Sequence, residues 1–263
     1  MGSGNISAND GIRVYYALNA QNINDPETYD IFFRLDLQEN TSKFYDYLKY
    51  QSDSLVNEWK IKNPQAEGIP TWMGPKSRYI NSNWSRVYGA EYVKDIPENK
   101  VTEYVFAVGI GKYWYSEKIP QIDWELKEDT LTIKGYLCQK AECFFRGRNY
   151  TAWFSTDIPA SNGPWKFGGL PGLILKVYDE DNSYVFECTH IEYADFSITD
   201  TYPDYKKISK EKLRGIHKNV CENWIKAAGA VTLSLDDFLK GSVVVKPQSD
   251  NANKPYNPIE LDF

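Results

Sequence analysis

Histidine is almost missing from this chain. Its 263 residues include only His190 and His217, so a Ser-His-Asp or Cys-His nucleophilic enzyme would have to be built on one of those two. No Gly-x-Ser-x-Gly occurs, which removes the nucleophile elbow. His-Glu-x-x-His and Cys-x-x-Cys are absent as well, and with them the common zinc signatures. There is no Gly-x-x-x-x-Gly-Lys-Ser/Thr phosphate loop. No apolar run reaches the roughly 18 residues that a membrane-crossing helix needs. Positive charge is not in excess either. Thirty Lys and Arg stand against 36 Asp and Glu, a net charge of −6, which argues against nucleic acid as a partner.

What the chain does have is aromatic residues: 20 Tyr, 12 Phe and 8 Trp. Rings of this kind favour pleated surfaces. They point either to packing between strands or to a surface that touches sugar, lipid or peptide. The apolar pattern agrees with strands. Ile12 to Gln21 reads as the first, and Tyr29 to Leu37 alternates as a half-buried strand. Lys43 to Leu48 fits its hairpin partner. Further strands are expected at 86–93, 102–110, 112–117, 123–126, 130–139, 141–146, 150–154, 173–178 and 184–193. A short helix is expected over 53–60. Strand follows strand without helices long enough for parallel crossovers, so the sheet should be an antiparallel meander. The expected fold is mainly β: a curved antiparallel sheet or open barrel of about ten strands.

One amphipathic helix is expected late, from Lys210 to Ala228. Leu213, Ile216, His217, Val220, Cys221, Trp224 and Ala228 form its apolar stripe, and Ser209 is placed to cap its start. His217 therefore reads as a packed residue. The expected organisation is a flexible N-terminus over 1–9, a single β-rich domain over 10–245 and an extended Pro/Asn-rich tail over 246–263. Met1-Gly2-Ser3-Gly4 reads as an expression scar standing in place of a signal peptide.

The sharpest local order lies at residues 150–178. A strand stops at Asp157-Ile158-Pro159, Asn162-Gly163-Pro164 forces a turn, and Gly168 and Gly169 allow backbone geometries closed to other residues. Leu170-Pro171-Gly172 makes a further turn, with Pro171 fixing one dihedral and Gly172 free to take a positive one. Leu173, Ile174 and Leu175 then begin a buried strand. Two strands thus bracket a stiff loop that carries Trp165 and Phe167, with Trp153 in the strand before it. Two readings of this loop stand side by side. Its aromatics either plug one end of the barrel or stay partly exposed and touch a ligand.

Other candidates are weaker. Cys138 and Cys143 flank four residues and could close a disulfide across a hairpin turn; Cys188 and Cys221 complete the cysteine set. Cys188 and His190, two apart on a strand, would face one side and could hold Zn or Cu if further ligands joined them. Arg146 and Arg148 flank Gly147 and could clamp a carboxylate bidentately, from the Asp157 loop, from Glu260 in the tail or from an anionic ligand. Sequence cannot pair carboxylates across strands, so an acid pair of the glycosidase type stays open. No cofactor is expected.

Gly169-Leu170-Pro171-Gly172-Leu173-Ile174 also carries a resemblance. The segment, with Cys138, Lys140-Ala141, Gly147-Arg148, Ala152-Trp153-Phe154, Ile158-Pro159, Gly163-Pro164 and the closing Tyr256-Asn257-Pro258-Ile259-Glu260-Leu261, resembles the GLPGLI family. The resemblance implies an exported, periplasmic or otherwise secreted protein of a Gram-negative bacterium, associated with outer-membrane transport components, in a family without an established activity. Taken with the missing catalytic motifs, it leads to a non-enzymatic binding or accessory protein of the cell envelope, for a peptide, lipid or partner protein. The alternatives are a hydrolase using paired carboxylates and a metal-handling protein using Cys188 and His190.

Overall fold

The computed structural model describes residues 10–66, 90–107, 111–198, 202, 204–222 and 257–261. Within them lie twelve strands. In chain order they are β1 (Asp10–Leu18), β2 (Ile31–Leu37), β3 (Thr41–Asp46), β4 (Ala90–Asp95), β5 (Lys100–Ala107) and β6 (Gly111–Lys118). The second half adds β7 (Glu125–Ile133), β8 (Tyr136–Phe145), β9 (Arg148–Ser155), β10 (Leu173–Asp179), β11 (Val185–Asp195) and β12 (Lys206–Lys207). Helix α1 (Tyr47–Lys62) follows β3, and helix α2 (Lys210–Glu222) follows β12.

All twelve strands belong to one sheet, in the order β12-β6-β5-β4-β3-β2-β1-β11-β10-β9-β8-β7. Two meanders, β1 to β6 and β7 to β11, join where β1 pairs with β11. Every pairing is antiparallel except the short β12 on β6. Among the described residues the sheet does not close, and β7 and β12 remain its edges. It is nevertheless strongly curved. Arg146, in the turn between β8 and β9, reaches Glu117 of β6 at 3.0 Å, although β5, β4, β3, β2, β1, β11 and β10 separate β9 from β6 within the sheet. Side chains on the concave face form one apolar core that includes Tyr16, Phe33, Phe44, Tyr150, Phe154 and Phe186.

The expected strands are present with shifted bounds, apart from 86–89 and 108–110, which lie outside the described residues, and two of the differences have a clear local cause. The run 130–139 is not one strand. Lys134 (φ +50°) and Gly135 (φ +86°) form a hairpin turn that splits it between β7 and β8. Arg146 (φ +52°) and Gly147 (φ +81°) repeat the device between β8 and β9. The first helix is longer than the expected 53–60, since Asp46 caps it by accepting from the Lys49 amide at 3.0 Å. Burial pushes the Asp46 carboxyl up to about 6. Helix α2 starts where the sequence puts it, with Ser209 accepting from the Lys212 amide at 3.3 Å, and it buries Leu213. The rest of its expected stripe beyond His217, from Val220 to Ala228, lies outside the described side chains, as do the termini at 1–9 and 246–256. No helix among the described residues is long and apolar enough to cross a membrane.

Candidate site

The loop from Thr156 to Gly172 fills the bowl of the sheet. A turn closed by the Phe167 amide on the Pro164 carbonyl (3.1 Å) puts Trp165 in the left-handed region at φ +51°. An antiparallel bridge between Asn162 and Gly168 ties the loop's limbs together. Trp165, Lys166 and Phe167 are all buried. The Trp165 and Phe167 rings stand edge to face at 5.1 Å and pack on Phe145 and Tyr150. Gly172 does not have a positive φ. Its role is close approach, since a Cβ there would lie 2.1 Å from the Ser155 carbonyl oxygen. Gly169 is the motif glycine that uses the left-handed region, at φ +86°. Leu170, Leu173 and Ile174 are core residues, while Pro171 is exposed at the surface turn.

Placing a lysine between those two aromatics sends a charge into the interior, and the sheet answers it. The Lys166 ammonium donates to Glu117 Oε1 (2.6 Å), Glu260 Oε1 (2.5 Å) and the Tyr115 hydroxyl (2.6 Å). Tyr115 in turn donates to Glu103 Oε2 at 2.8 Å. Around this core Lys210 pairs with Glu117 (2.9 Å) and Glu260 (2.7 Å), Arg146 with Glu117 (3.0 Å), and Arg214 with Glu260. Six separate parts of the chain contribute: β5, β6, the β8–β9 turn, the motif loop, α2 and the tail. Burial works against ionising Glu117, yet the ammonium groups of Lys166 and Lys210 hold its carboxyl down to about 2. Lys210 is pushed down to about 8, by burial first and by Lys166 second. Burial, followed by the charges of Glu103 and Glu117, drives the Tyr115 hydroxyl far above its usual range. His217 on α2 borders this cluster. Its Nε2 is buried with no hydrogen-bond partner among the described residues, and burial lowers its pKa.

A second buried lysine lies beneath the same loop. Lys94 of β4 donates to Asn162 Oδ1 (2.7 Å) and to the Phe167 carbonyl (2.6 Å), and burial alone pushes its amine to about 7. Ser42 sits directly across the ladder from Lys94, but the Asn162 amide donates to its hydroxyl at 3.0 Å. Asn162 thus ties together the two groups that could otherwise act as nucleophile and base. Trp124 donates its indole N–H to the Gly168 carbonyl at 2.9 Å and covers the loop's far limb.

The arginine pair divides its work. Arg146 binds Glu117, as above. Arg148 is buried and donates to Asp179 (2.7 Å), to the Pro258 carbonyl (2.7 Å) and to the Asn257 side chain. The tail is therefore a partner of Arg148, but through Asn257 and Pro258. Glu260 goes to the lysines instead. Trp153 is half-buried on β9 against the core.

The cysteine expectations are corrected. Cys138 and Cys143 both lie within β8, five residues apart along one extended strand, and neither is bonded. Cys188 and His190 do not share a face. A bulge opposite Tyr15 and Tyr16 leaves Thr189 unpaired, so Cys188 faces Tyr16 in the core while His190 pairs with Tyr15 on the other side and is exposed. No group of three or more His, Cys, Asp and Glu among the described residues is arranged to hold a metal ion.

Sequence reasoning missed Lys166, Lys94, Asn162 and the Glu103–Tyr115–Glu117 ladder. One signal was available: a lysine between two aromatics in a stiff loop must either reach solvent or be paired inside.

Comparison with known proteins adds the following. A family model described as a protein of unknown function (Porph_ging) matches residues 144–176, from the end of β8 through β9 and the motif loop into β10. No curated protein matches. Two solved structures of PNGF-II, in different crystal forms, are similar over 79% of this chain, each with a TM-score of 0.52, at 15% and 14% identity. The matched part is 33% and 32% of those chains, so this protein spans about a third of their length. At that identity the likeness is one of fold. This chain carries a segment similar to a family of unknown function, on a sheet similar to part of a longer protein.

Proposed function

We propose that this is an exported, non-enzymatic binding or accessory protein of the cell envelope, acting on a peptide or a partner protein. The observation that carries the reading is that the buried charged groups beside the motif loop are paired with one another. Lys166, Glu117, Glu260 and Tyr115 satisfy one another, and Asn162 engages both Lys94 and Ser42. A hydrolase using paired carboxylates needs the opposite arrangement, with one carboxyl kept protonated and another free near a substrate. Glu117, held at about 2 by two ammonium groups, is unsuited to donating a proton. Export, and proximity to an outer-membrane transport component, rest on the resemblance of the motif and tail.

The test is a turnover screen. The purified chain, assayed with chromogenic glycosides, esters and peptides, should show no turnover above the buffer blank. Turnover that co-purifies with the chain would overturn the reading, and its loss in Glu117→Gln would assign it to the carboxylate cluster.

A further inference from the structure

Residues Asn257 to Leu261 are held the way a bound peptide is held. Three successive carbonyls accept from side chains of the sheet: Asn257 from the Tyr184 hydroxyl (2.5 Å), Pro258 from Arg148 (2.7 Å) and Ile259 from the Tyr150 hydroxyl (3.1 Å). The Leu261 amide donates to the Arg146 carbonyl at 2.8 Å. The Asn257 side-chain amide donates to the Ser183 hydroxyl at 3.1 Å. Ile259 is buried in the apolar core, and Glu260 is buried against Lys166, Lys210 and Arg214. The cradle is firmly built. Arg148 is itself buried and fixed by Asp179 at 2.7 Å, with its guanidinium 5.2 Å above the Tyr184 ring.

These contacts read chemistry that any polypeptide can present. Carbonyl recognition is independent of side chains, the proline fixes an extended path, the core takes an aliphatic side chain, and the cations take a carboxylate. Without Glu260, the carboxylates of Glu103 and Glu117 would face Lys166, Lys210 and Arg146 with one carboxylate fewer, so the cradle selects for an acidic residue at that place. We propose that it is a peptide-recognition site whose resident occupant is the chain's own tail. A partner protein presenting an extended Pro-aliphatic-Glu segment displaces the tail and docks through the same contacts. The proposal rests on the reading of this chain as a binding protein and names the chemistry of the partner.

The experiment uses the full chain and a labelled, end-blocked Asn-Pro-Ile-Glu-Leu peptide. The resident tail competes from within the same molecule, so free peptide should bind the unaltered protein weakly. Glu260→Gln weakens the resident tail, and that variant should bind the peptide about 10-fold or more tightly than the unaltered chain, as expected for the loss of a charge-assisted contact. Ile259→Ala provides the same readout should Glu260→Gln fail to fold. On either variant, a peptide with Gln in place of Glu should lose most of its binding. In the unaltered chain, peptide at ~1 mM should speed carboxypeptidase removal of the tail through Leu261. Equal affinity of the unaltered and variant chains, indifference to the Gln peptide, or tail trimming unchanged by peptide would each overturn the proposal. So would concentration-dependent dimers of the unaltered chain in light scattering, which would assign the cradle to tail exchange between copies. These outcomes are independent of the turnover screen. Failure here removes the site, whereas turnover there removes the binding reading.

Discussion

The Lys166 ammonium and the Glu260 carboxylate stand 94 positions apart in the chain and meet at 2.5 Å inside the bowl of the sheet. This contact joins the two parts of the sequence with the most distinctive local patterns, the aromatic glycine-rich loop and the closing Pro-Ile-Glu-Leu. Neither part satisfies its charge alone. The loop inserts an ammonium into an interior made by other strands, and the tail supplies one of the carboxylates that neutralise it.

Breaking the contact from the lysine side should therefore cost stability. In Lys166→Met, Lys210, Arg214 and Arg146 still neutralise Glu260 and Glu117, so the loss should sit near the low end of the range for breaking a buried pair, about 3 kcal/mol. Urea unfolding measures it. A change under about 1 kcal/mol would mean that the cluster contributes little to holding loop, helix and tail together.

Trp165→Ala should destabilise by about 3–5 kcal/mol, because the ring is fully buried and its removal leaves a cavity. Gly172→Ala should also destabilise strongly, since the new Cβ would meet the Ser155 carbonyl at 2.1 Å and the backbone would have to move. Thermal melts of both variants test the plug. A Trp165→Ala protein with an unchanged melting temperature would assign the loop a contact role in place of a packing one.

Lys94 makes stability depend on pH in a definite direction. Its amine is lowered to about 7 in the fold from an unfolded value of 10.5. Between those values the unfolded chain binds the extra proton, so stability rises as pH goes up through this window and levels off above it. Below about 7 both states are protonated and Lys94 adds no pH dependence. Denaturant titrations at intervals from pH 6 to pH 10 should show the rise in the unaltered protein and a smaller, later one in Lys94→Met, where Lys210, lowered to about 8, still contributes. Parallel curves for the two proteins would place the buried charge elsewhere.

The free thiols give a chemical readout of packing. Cys138, Cys143 and Cys188 are buried, and burial pushes their thiols up, Cys138 to about 11 and the other two to about 12. Little thiolate exists at neutral pH, and the sulfur atoms are covered. Alkylation followed by peptide mapping should leave these three unmodified in the native protein and label them in denaturant. Native labelling of Cys143 would show that the β8–β9 hairpin opens readily.

Much of the local structure was legible in residues close together in sequence. Alternating apolar residues marked β2 and β9, Ser209 marked the start of α2, and the Gly and Pro positions marked the motif loop as rigid. The misreadings were local too. Lys134-Gly135 holds a hairpin turn inside what looks like one continuous strand, because two positive φ values are available there and alternation continues across them. The bulge at Thr189 was invisible for a different reason. It exists only in the pairing of β11 with β1, and it reverses the face on which His190 emerges.

The sequence by itself determined a mainly β chain with strong local turns, a stiff aromatic loop and one capped late helix, because those features follow from side-chain size, periodicity and allowed backbone angles within a few residues. The tertiary structure alone decided that β1 lies beside β11, that the sheet curves until Arg146 reaches Glu117, and that Glu103, Glu117 and Glu260 converge on Lys166. Charges carry no periodicity that records their partners. A buried lysine is matched only when sheet register, curvature and the returning tail bring carboxylates to within hydrogen-bond reach, and each of those is a contact between residues far apart in the chain.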